Sequence, residues 1–307
     1  MKKFEFTGET KTILDGSDKI ILNRIKALVR IESNAGNVEA GDIGGWIENE
    51  SNLSHDGNAW VYGDAWVYGN AEVYGDARIY ANAEVCGNAR VYGDAEVCGN
   101  ARVYGNAWIY GNAWIWGDAE VWSNAEVYGD AMVYGNAEIC GNATIHGSAR
   151  IYGNARIYGH AEVCGNARLS GNAEVFRSEH YLVMGPIGSR NAFTTFFRTK
   201  DEKIKVVCGC FFGTIDEFLA KVKRTHGDSK HAKAYQAAVE VALAQLEIVE
   251  NENIEEKSVT KYKIQQNDNL SSICEHFNIT LDEFMDANPE LIIDSGYLNI
   301  PEPKSKA

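Results

Sequence analysis

A six-residue repeat runs without interruption from residue 57 to residue 176. Valine, isoleucine or leucine stands at every sixth position from Val61 to Val175, and alanine keeps the same interval from Ala59 to Ala173. A period of six fits neither an α-helix nor a single amphipathic strand. Short regular repeats are typical of solenoids, and hexapeptide repeats predict a parallel β-helix. We therefore expect this segment to be a rigid scaffold.

Three hexads should make one coil of the β-helix, so that residues 18 apart (3 × 6) become vertical neighbours. One outward column then consists of Glu84, Arg102, Glu120, Glu138, Arg156 and Glu174. Opposite charges meet in four of its five steps. Each exposed pair contributes only a few tenths of a kcal/mol, but together they should help to fix the register of the stack.

Aromatic side chains also occupy outward positions of the repeat. One column consists of Tyr74, Tyr92, Tyr110 and Tyr128, followed by His146 and Cys164. The tryptophans expected to face outward are Trp60, Trp66, Trp108, Trp114, Trp116 and Trp122. So much exposed aromatic surface is unusual for a monomer. Three explanations stay open, namely stacking of the rings down each face, burial between subunits of an oligomer, and binding of sugars.

Composition narrows the classes of function. The formal net charge of −14 disfavours a protein that binds nucleic acid through the phosphate backbone. The first residues contain two lysines without a following apolar run, so neither a signal peptide nor a membrane span is predicted. The cysteines number seven, and no two of those in the repeat are 18 residues apart. We expect a protein made in a reducing cytoplasm.

The pattern changes several times along the chain. We divide it into an N-terminal β cap at 1–56, the β-helix at 57–176, a small α+β domain at 177–248, an acidic linker at 249–258 and a last small domain at 259–302. A cap is expected because the end of a solenoid exposes its core and unpaired strand edges. In the α+β domain we expect strands near 193–198 and 204–211, a helix capped by Thr214 and Glu217, and a second helix near 229–247.

The repeat resembles the hexapeptide-repeat family, whose members form left-handed parallel β-helices and are often trimeric acyltransferases. The segment at 41–53, followed by 57–62, also resembles bacterial and phage hexapeptide proteins grouped with acetyltransferases. The likeness covers about residues 20–176. It implies a left-handed β-helix and a homotrimer, and it makes acyl transfer one alternative function.

Candidate catalytic residues are few. Hexapeptide acyltransferases use a histidine as base and loops that leave the helix to hold the acyl donor. The solenoid of this chain offers His146, at a tyrosine position, and His160, at a corner asparagine position, and no insertion interrupts its twenty hexads. We interpret both histidines as surface substitutions, and we predict no catalytic residue and no cofactor.

The α+β domain contains residue types that bind metals or anions. Cys208, Cys210, His226 and His231 could suggest zinc, but their spacing matches no standard zinc site. Cys208 and Cys210 would equally lie on one face of a buried strand, so we predict no metal site. Residues 188–190, Gly-Ser-Arg, could hold an anion, although three loop residues are a weak signal.

The C-terminal segment resembles a lysin motif (LysM) domain, which folds as strand, helix, helix and strand. The matching elements are Asn267-Asp268-Asn269-Leu270 at the first turn, Thr280 and Phe284 in the second helix, Asn288-Pro289 after it, and Leu298-Asn299-Ile300-Pro301 at the end. LysM domains bind N-acetylglucosamine glycans in a shallow groove. Carried over by position, the groove involves Asn267, Asp268, Asn269, Leu270, Ile292 and Ile293. Asn267 and Asn269 depart from the usual glycine and threonine.

We therefore predict a mainly β protein with a left-handed β-helix, a small α+β domain and a C-terminal LysM (βααβ) domain. The predicted function is that of a non-catalytic structural or binding protein, encoded by a phage or prophage. Its β-helix would multimerise and present the LysM module to peptidoglycan or another N-acetylglucosamine glycan. The expected partners are that glycan and further copies of the chain, with no nucleic acid and no membrane. The alternatives are a hexapeptide-repeat acyltransferase and an intracellular scaffold for protein interactions.

Overall fold

The structure is a computed structural model that describes residues 2–32, 36–246, 260–263 and 297–300. The chain divides into two compact units, Met1–Leu246 and Glu247–Ala307. The first unit contains a parallel β-solenoid with additional sheet structure at both ends. The second unit contains the two strands of the C-terminal segment that the structure describes.

A long antiparallel hairpin precedes the solenoid. Its strands are β1 (Phe4–Asp15) and β2 (Asp18–Ala27), and β3 (Ile43–Ile47) follows them. β2 pairs with β3, and β3 pairs in parallel with Trp66–Val67, so the hairpin extends one solenoid sheet beyond the first coil. Trp60, which we expected to face outward, is only 1% exposed. The hairpin buries it, since the ring of Phe4 packs edge-on at 6.4 Å between centroids.

The repeat forms a strand of two residues in every hexad. These strands are β4 (Trp60–Val61), β5 (Trp66–Val67), β6 (Glu72–Val73), β7 (Arg78–Ile79), β8 (Glu84–Val85), β9 (Arg90–Val91), β10 (Glu96–Val97), β11 (Arg102–Val103), β12 (Trp108–Ile109), β13 (Trp114–Ile115), β14 (Glu120–Val121), β15 (Glu126–Val127), β16 (Met132–Val133), β17 (Glu138–Ile139), β18 (Thr144–Ile145), β19 (Arg150–Ile151), β20 (Arg156–Ile157), β21 (Glu162–Val163), β22 (Arg168–Leu169) and β23 (Glu174–Val175). They stack in three parallel sheets. Because β11 pairs with β8 and β14, Arg102 lies between Glu84 and Glu120. The 18-residue register predicted from the sequence is confirmed.

The core of the solenoid is a column of aliphatic side chains and alanines. Every repeat aliphatic from Val61 to Val175 and every repeat alanine from Ala59 to Ala173 is at most 1% exposed. The coil turns at glycines in the left-handed region, as at Gly99 with φ 73°. A Cβ at Gly99 would lie 2.8 Å from the backbone nitrogen of the glycine one coil above, so close stacking of the corners favours glycine there.

A four-stranded antiparallel sheet and two helices follow the last coil. The elements are β24 (Tyr181–Ile187), β25 (Ala192–Arg198), β26 (Ile204–Cys208), β27 (Phe211–Thr214), α1 (Ile215–His226) and α2 (Lys230–Gln245). Phe197 and Val207 are buried in the same core cluster as the solenoid aliphatics. The Thr195 hydroxyl accepts a hydrogen bond from the backbone N–H of Arg168 at 3.0 Å. This sheet therefore covers the second end of the solenoid, and we call β24–α2 the C-terminal cap.

The local elements of the C-terminal cap agree with the sequence only in part. The Thr214 hydroxyl accepts from the Glu217 N–H at 3.3 Å and the Glu217 carboxylate accepts from the Thr214 N–H at 2.8 Å, which confirms the predicted start of α1. The expected strand at 204–211 is instead two strands joined by a turn. Cys210 is exposed in that turn, so the prediction that Cys208 and Cys210 share one face of a buried strand was wrong.

In the second unit, β28 (Thr260–Lys263) and β29 (Tyr297–Ile300) pair antiparallel, with Thr260 opposite Ile300 and Lys263 opposite Tyr297. This pairing of the first and last strands agrees with the predicted strand, helix, helix, strand order. Among the residues that the structure describes, no helix has the length and apolar character that crossing a membrane requires.

A buried histidine lies where the solenoid meets the C-terminal cap. His180 is 5% exposed, and its ring packs edge-on against Phe176 at 4.1 Å. Burial, aided by the positive charge of Arg198, lowers the pKa of His180 to about 4. The effect of burial exceeds the opposite effect of the Glu179 carboxylate and favours the neutral imidazole, so protonation of His180 opposes folding.

Acidification should destabilise the first unit through His180. The folded chain binds fewer protons than the unfolded chain between the ordinary histidine pKa and about 4, so stability is lost as the pH falls through that window. Between pH 7 and pH 5 the expected loss is about 1–2 kcal/mol. Melting temperatures at the two pH values should differ less for His180→Phe than for the wild type. His160→Phe, at an exposed histidine, is the matched control, and equal losses in all three proteins would contradict the prediction.

Candidate functional site

Aromatic rings stack down the outside of the solenoid. Successive rings of the column that contains Tyr74, Tyr92, Tyr110, Tyr128 and His146 lie 4.8 to 5.0 Å apart between centroids. Their planes are within 8° of parallel. A second column contains Trp116, Tyr134 and Tyr152. Stacking between coils, the first of the three explanations offered above, therefore accounts for much of the outward aromatic surface.

Outward tyrosines of the repeat also donate hydrogen bonds to carboxylates. The hydroxyls of Tyr80 and Tyr104 donate to Glu96 at 2.8 Å and to Glu120 at 3.0 Å. Burial, together with these carboxylates, raises the pKa of both tyrosines, so they remain neutral donors. The same contact, over a separation of 16 residues, forms between Tyr68 and Glu84 and between Tyr110 and Glu126.

His146 takes the place of a tyrosine in this series. Its Nε2 atom lies 2.8 Å from the Glu162 carboxylate, and the Cys164 thiol completes a group of three donors within 4.8 Å of one another. Histidine, carboxylate and thiolate are all zinc ligands. The contact between His146 and Glu162 nevertheless repeats the periodic contact between tyrosine and glutamate, so its geometry follows from the repeat and is no signal of a metal centre.

Charged side chains form the predicted column on a neighbouring face. Arg102 lies 3.4 Å from Glu84 and 3.5 Å from Glu120, and Arg156 lies 3.0 Å from Glu138. Arg156 also approaches Glu174 at 4.0 Å. All four opposite-charge steps predicted from the sequence are thus present.

The C-terminal cap contains a cavity of about 200 Å³. Its walls are the turn between β24 and β25, the turn between β26 and β27, helix α1, and Tyr235 of α2. Phe211, Phe218 and Tyr235 form an apolar interior, and Arg190 and Lys221 contribute charge. We call this space the cap cavity. The turn between β24 and β25 packs tightly against it, because the Tyr235 ring leaves no room for a Cβ at Gly188.

Three of the four residues that suggested zinc, Cys208, Cys210 and His226, line the cap cavity. The Thr194 hydroxyl donates to the Cys208 thiol at 3.3 Å, and the Tyr235 hydroxyl lies 3.8 Å from the same sulfur. Burial, with the neighbouring Cys208, raises the pKa of Tyr235 to about 12. The rings of His226 and His231 are 6.0 Å apart. Within the described part of the chain, these cysteines and histidines do not gather their donor atoms into one group.

The residues predicted to bind glycan lie outside the described residues. Asn267, Asp268, Asn269, Leu270, Ile292 and Ile293 all fall between β28 and β29 in the sequence. Their assignment to a groove stays a prediction from the resemblance.

Two family models match parts of the chain. The LysM domain model matches residues 262–300, the segment bounded by the paired strands β28 and β29. The chain carries a C-terminal LysM domain. The model of the YdcK β-solenoid repeat matches residues 95–111 and 149–165, within the stacked coils. No curated relative matches the chain. The predicted combination of a β-solenoid with a LysM domain is confirmed.

Proposed function

We propose that this chain is a non-catalytic glycan-binding protein, in which the β-solenoid carries a LysM domain that binds peptidoglycan or another N-acetylglucosamine glycan. The match of residues 262–300 to the LysM domain supports the proposal, since domains of that family bind such glycans. The antiparallel pairing of β28 with β29 agrees with the strand order of the family.

The solenoid suits the role of a rigid support. Its aliphatic and alanine columns form a continuous core that joins residues of both ends, from Phe4 to Phe197. Backbone hydrogen bonds connect each coil to the next, as from the Arg102 N–H to the Ala119 carbonyl at 2.9 Å. Repeats stacked in this way stabilise one another through their interfaces, so a change of shape in one coil is opposed by its neighbours.

Multimerisation is part of the proposal, with a homotrimer as the expected form. Besides the stacked rings, the first unit has exposed apolar side chains, including Trp108 and Trp114 at 38% exposure each and Ile21 at 55%. Burial of such side chains between subunits would favour association. Several LysM domains on one particle would then bind a repeating glycan more tightly than a single domain does.

The proposal also concerns origin and location. The protein would be encoded by a phage or prophage, made in the cytoplasm of the producing cell, and brought to the cell wall within a virion or on lysis. The resemblance of residues 41–62 to phage hexapeptide proteins supports that origin.

Direct titration of the full chain tests the glycan specificity. We expect calorimetry to detect binding of soluble N-acetylglucosamine oligomers and no binding of glucose oligomers of equal length. Leu270→Asp, in the predicted groove, should abolish the heat of binding, because a charge would replace an apolar contact with the sugar ring. Leu14→Asp, at a residue that is 73% exposed on the N-terminal hairpin, should leave binding unchanged.

Two results of that titration would contradict the proposal. Equal binding of both oligomers would show that the domain does not recognise the acetamido group. Absence of binding to either oligomer would instead favour a LysM domain that docks onto protein.

A further inference from the structure

Two arginines in the last coils depart from the charge pattern of the solenoid. Their column consists of Trp60, Arg78, Glu96, Trp114, Met132, Arg150 and Arg168. The other four arginines of the repeat each have a glutamate one coil away, as Arg78 has Glu96 at 2.7 Å. Arg150 and Arg168 face each other on adjacent coils, and neither forms an ion pair with any described residue. Like charges placed directly opposite destabilise a sheet.

A second cavity, of about 180 Å³, lies over these two arginines. The solenoid contributes Ser148, Arg150, Asn166 and Arg168 to its walls, and the C-terminal cap contributes Ala192, Phe193 and Gly209. Ala192 and Gly209 also line the cap cavity, so the two spaces adjoin at that wall. We call the combined space the basic groove. One of the two spaces lies on the outward face of the last coils and the other lies inside the C-terminal cap.

Arg190 adds a third guanidinium where the two spaces meet. It sits in the turn between β24 and β25, and its Nη1 atom is 3.5 Å from the point where a Cβ at Gly209 would lie. The turn itself is fixed by close packing of Gly188 on Tyr235. Arg190, like Arg150 and Arg168, has no acidic partner among the described residues, so three guanidinium groups line one groove without compensation.

The charged side chains that line the basic groove are all basic. Lys221 and His226 add further basic groups, and no described residue of either lining is acidic. This contrasts with the net charge of −14 for the whole chain. The end of the groove inside the cap is apolar and aromatic, with Phe211 and Phe218 on its walls. A ligand that fits must carry negative charge at one end and a flat apolar group at the other.

We propose that the basic groove binds a small organic phosphate with an aromatic group, of the nucleotide class. Its phosphates lie on Arg150, Arg168 and Arg190, and its ring enters the cap cavity beside Phe211 and Phe218. Guanidinium groups bind phosphate oxygens through paired, charge-assisted hydrogen bonds. A bound anion also removes the repulsion between Arg150 and Arg168, so binding should stabilise the folded chain.

Titrations of the full chain with ATP, inorganic triphosphate and adenosine test the ligand class. We expect ATP to bind most tightly, triphosphate more weakly and adenosine most weakly, because only ATP satisfies both ends of the groove. ATP should also raise the melting temperature. Absence of binding and of a thermal shift with ATP and triphosphate would overturn the proposal. Equal affinity for ATP and triphosphate would overturn the assignment of an aromatic group.

Arginine variants test the place of binding. Arg150→Met and Arg190→Gln should each weaken ATP binding by about tenfold to a hundredfold, the usual effect of losing a hydrogen bond to a charged group. Methionine suits the solenoid, since Met132 occupies the preceding position of the same column, and Arg190 is exposed in a turn. Arg102→Met, in the column of ion pairs, is the matched control and should retain full affinity. If the three variants bind ATP as the wild type does, the site is elsewhere and the proposal is wrong.

Discussion

Val103→Asp should unfold the solenoid at a much lower temperature than the wild type. Val103 is fully buried between Val85 and Val121 of the adjacent coils. The core offers no partner for a carboxylate, and an uncompensated buried charge costs about 3–5 kcal/mol. For a unit of this size the melting temperature should fall by roughly 10 °C. Differential scanning calorimetry of the full chain measures the effect.

Outward substitutions on the same coil are the controls for Val103→Asp. Tyr104 is half-buried, stacks on Trp122 at 5.7 Å and packs against the cluster of Leu22, Trp46, Tyr68 and Cys86. Tyr104→Ser should therefore cost about 1–2 kcal/mol. Arg102 is exposed and forms surface ion pairs with Glu84 and Glu120, so Arg102→Ser should cost about 0.5 kcal/mol. Equal losses for Val103→Asp and Arg102→Ser would mean that the assignment of inward and outward positions is wrong.

A chain that ends at Leu246 should lose nearly all affinity for peptidoglycan sacculi. The LysM match lies entirely beyond that residue, at 262–300, whereas the compact unit Met1–Leu246 retains the solenoid and the additional structure at both of its ends. In a trimer, three LysM domains should strengthen binding to a repeating glycan by severalfold to several hundredfold over one domain. Removal of the domain should therefore abolish sedimentation with sacculi.

The truncated chain supplies its own controls. Its melting temperature should equal that of the first unit in the full chain. Light scattering should give the mass of a trimer for each of the two proteins. Equal sedimentation of the two chains would place glycan binding on the aromatic columns of the solenoid. Failure of both to sediment would favour the docking of the LysM domain onto a protein partner.

The regular part of the fold follows from local sequence. The residue types within a hexad determine which position turns the chain and which side chain points inward. The columns from Glu84 to Glu174 and from Tyr74 to His146 could therefore be predicted without the structure. The order of motifs at 262–300 was likewise enough to predict a LysM domain. These features depend on residues at fixed separations, and no knowledge of distant segments is required.

The remaining features depend on contacts between distant segments. Trp60 stands at a position of the repeat that we expected to face outward, and the repeat did not indicate that the hairpin β1–β2 would bury it. The hexads likewise did not indicate that Phe197 and Val207 would complete the solenoid core. Arg150 and Arg168 could be placed in one column by counting, but their meeting with Arg190 depends on how the C-terminal cap is oriented on the last coil.

Both ends of the solenoid are closed by structures of their own, the hairpin β1–β2 at one end and the sheet β24–β27 at the other. The hairpin reaches as far as Tyr104, and the sheet contacts the last coils. The coils between them repeat the same contacts every 18 residues, as the hydrogen bond from Asn124 to Asn142 shows. A gene of this kind can therefore gain or lose whole coils by in-frame duplication or deletion while both termini keep their contacts. Each such event changes the rod by about 4.8 Å. The solenoids of related proteins should therefore differ in length by whole multiples of that step, so that evolution can adjust the length in equal increments.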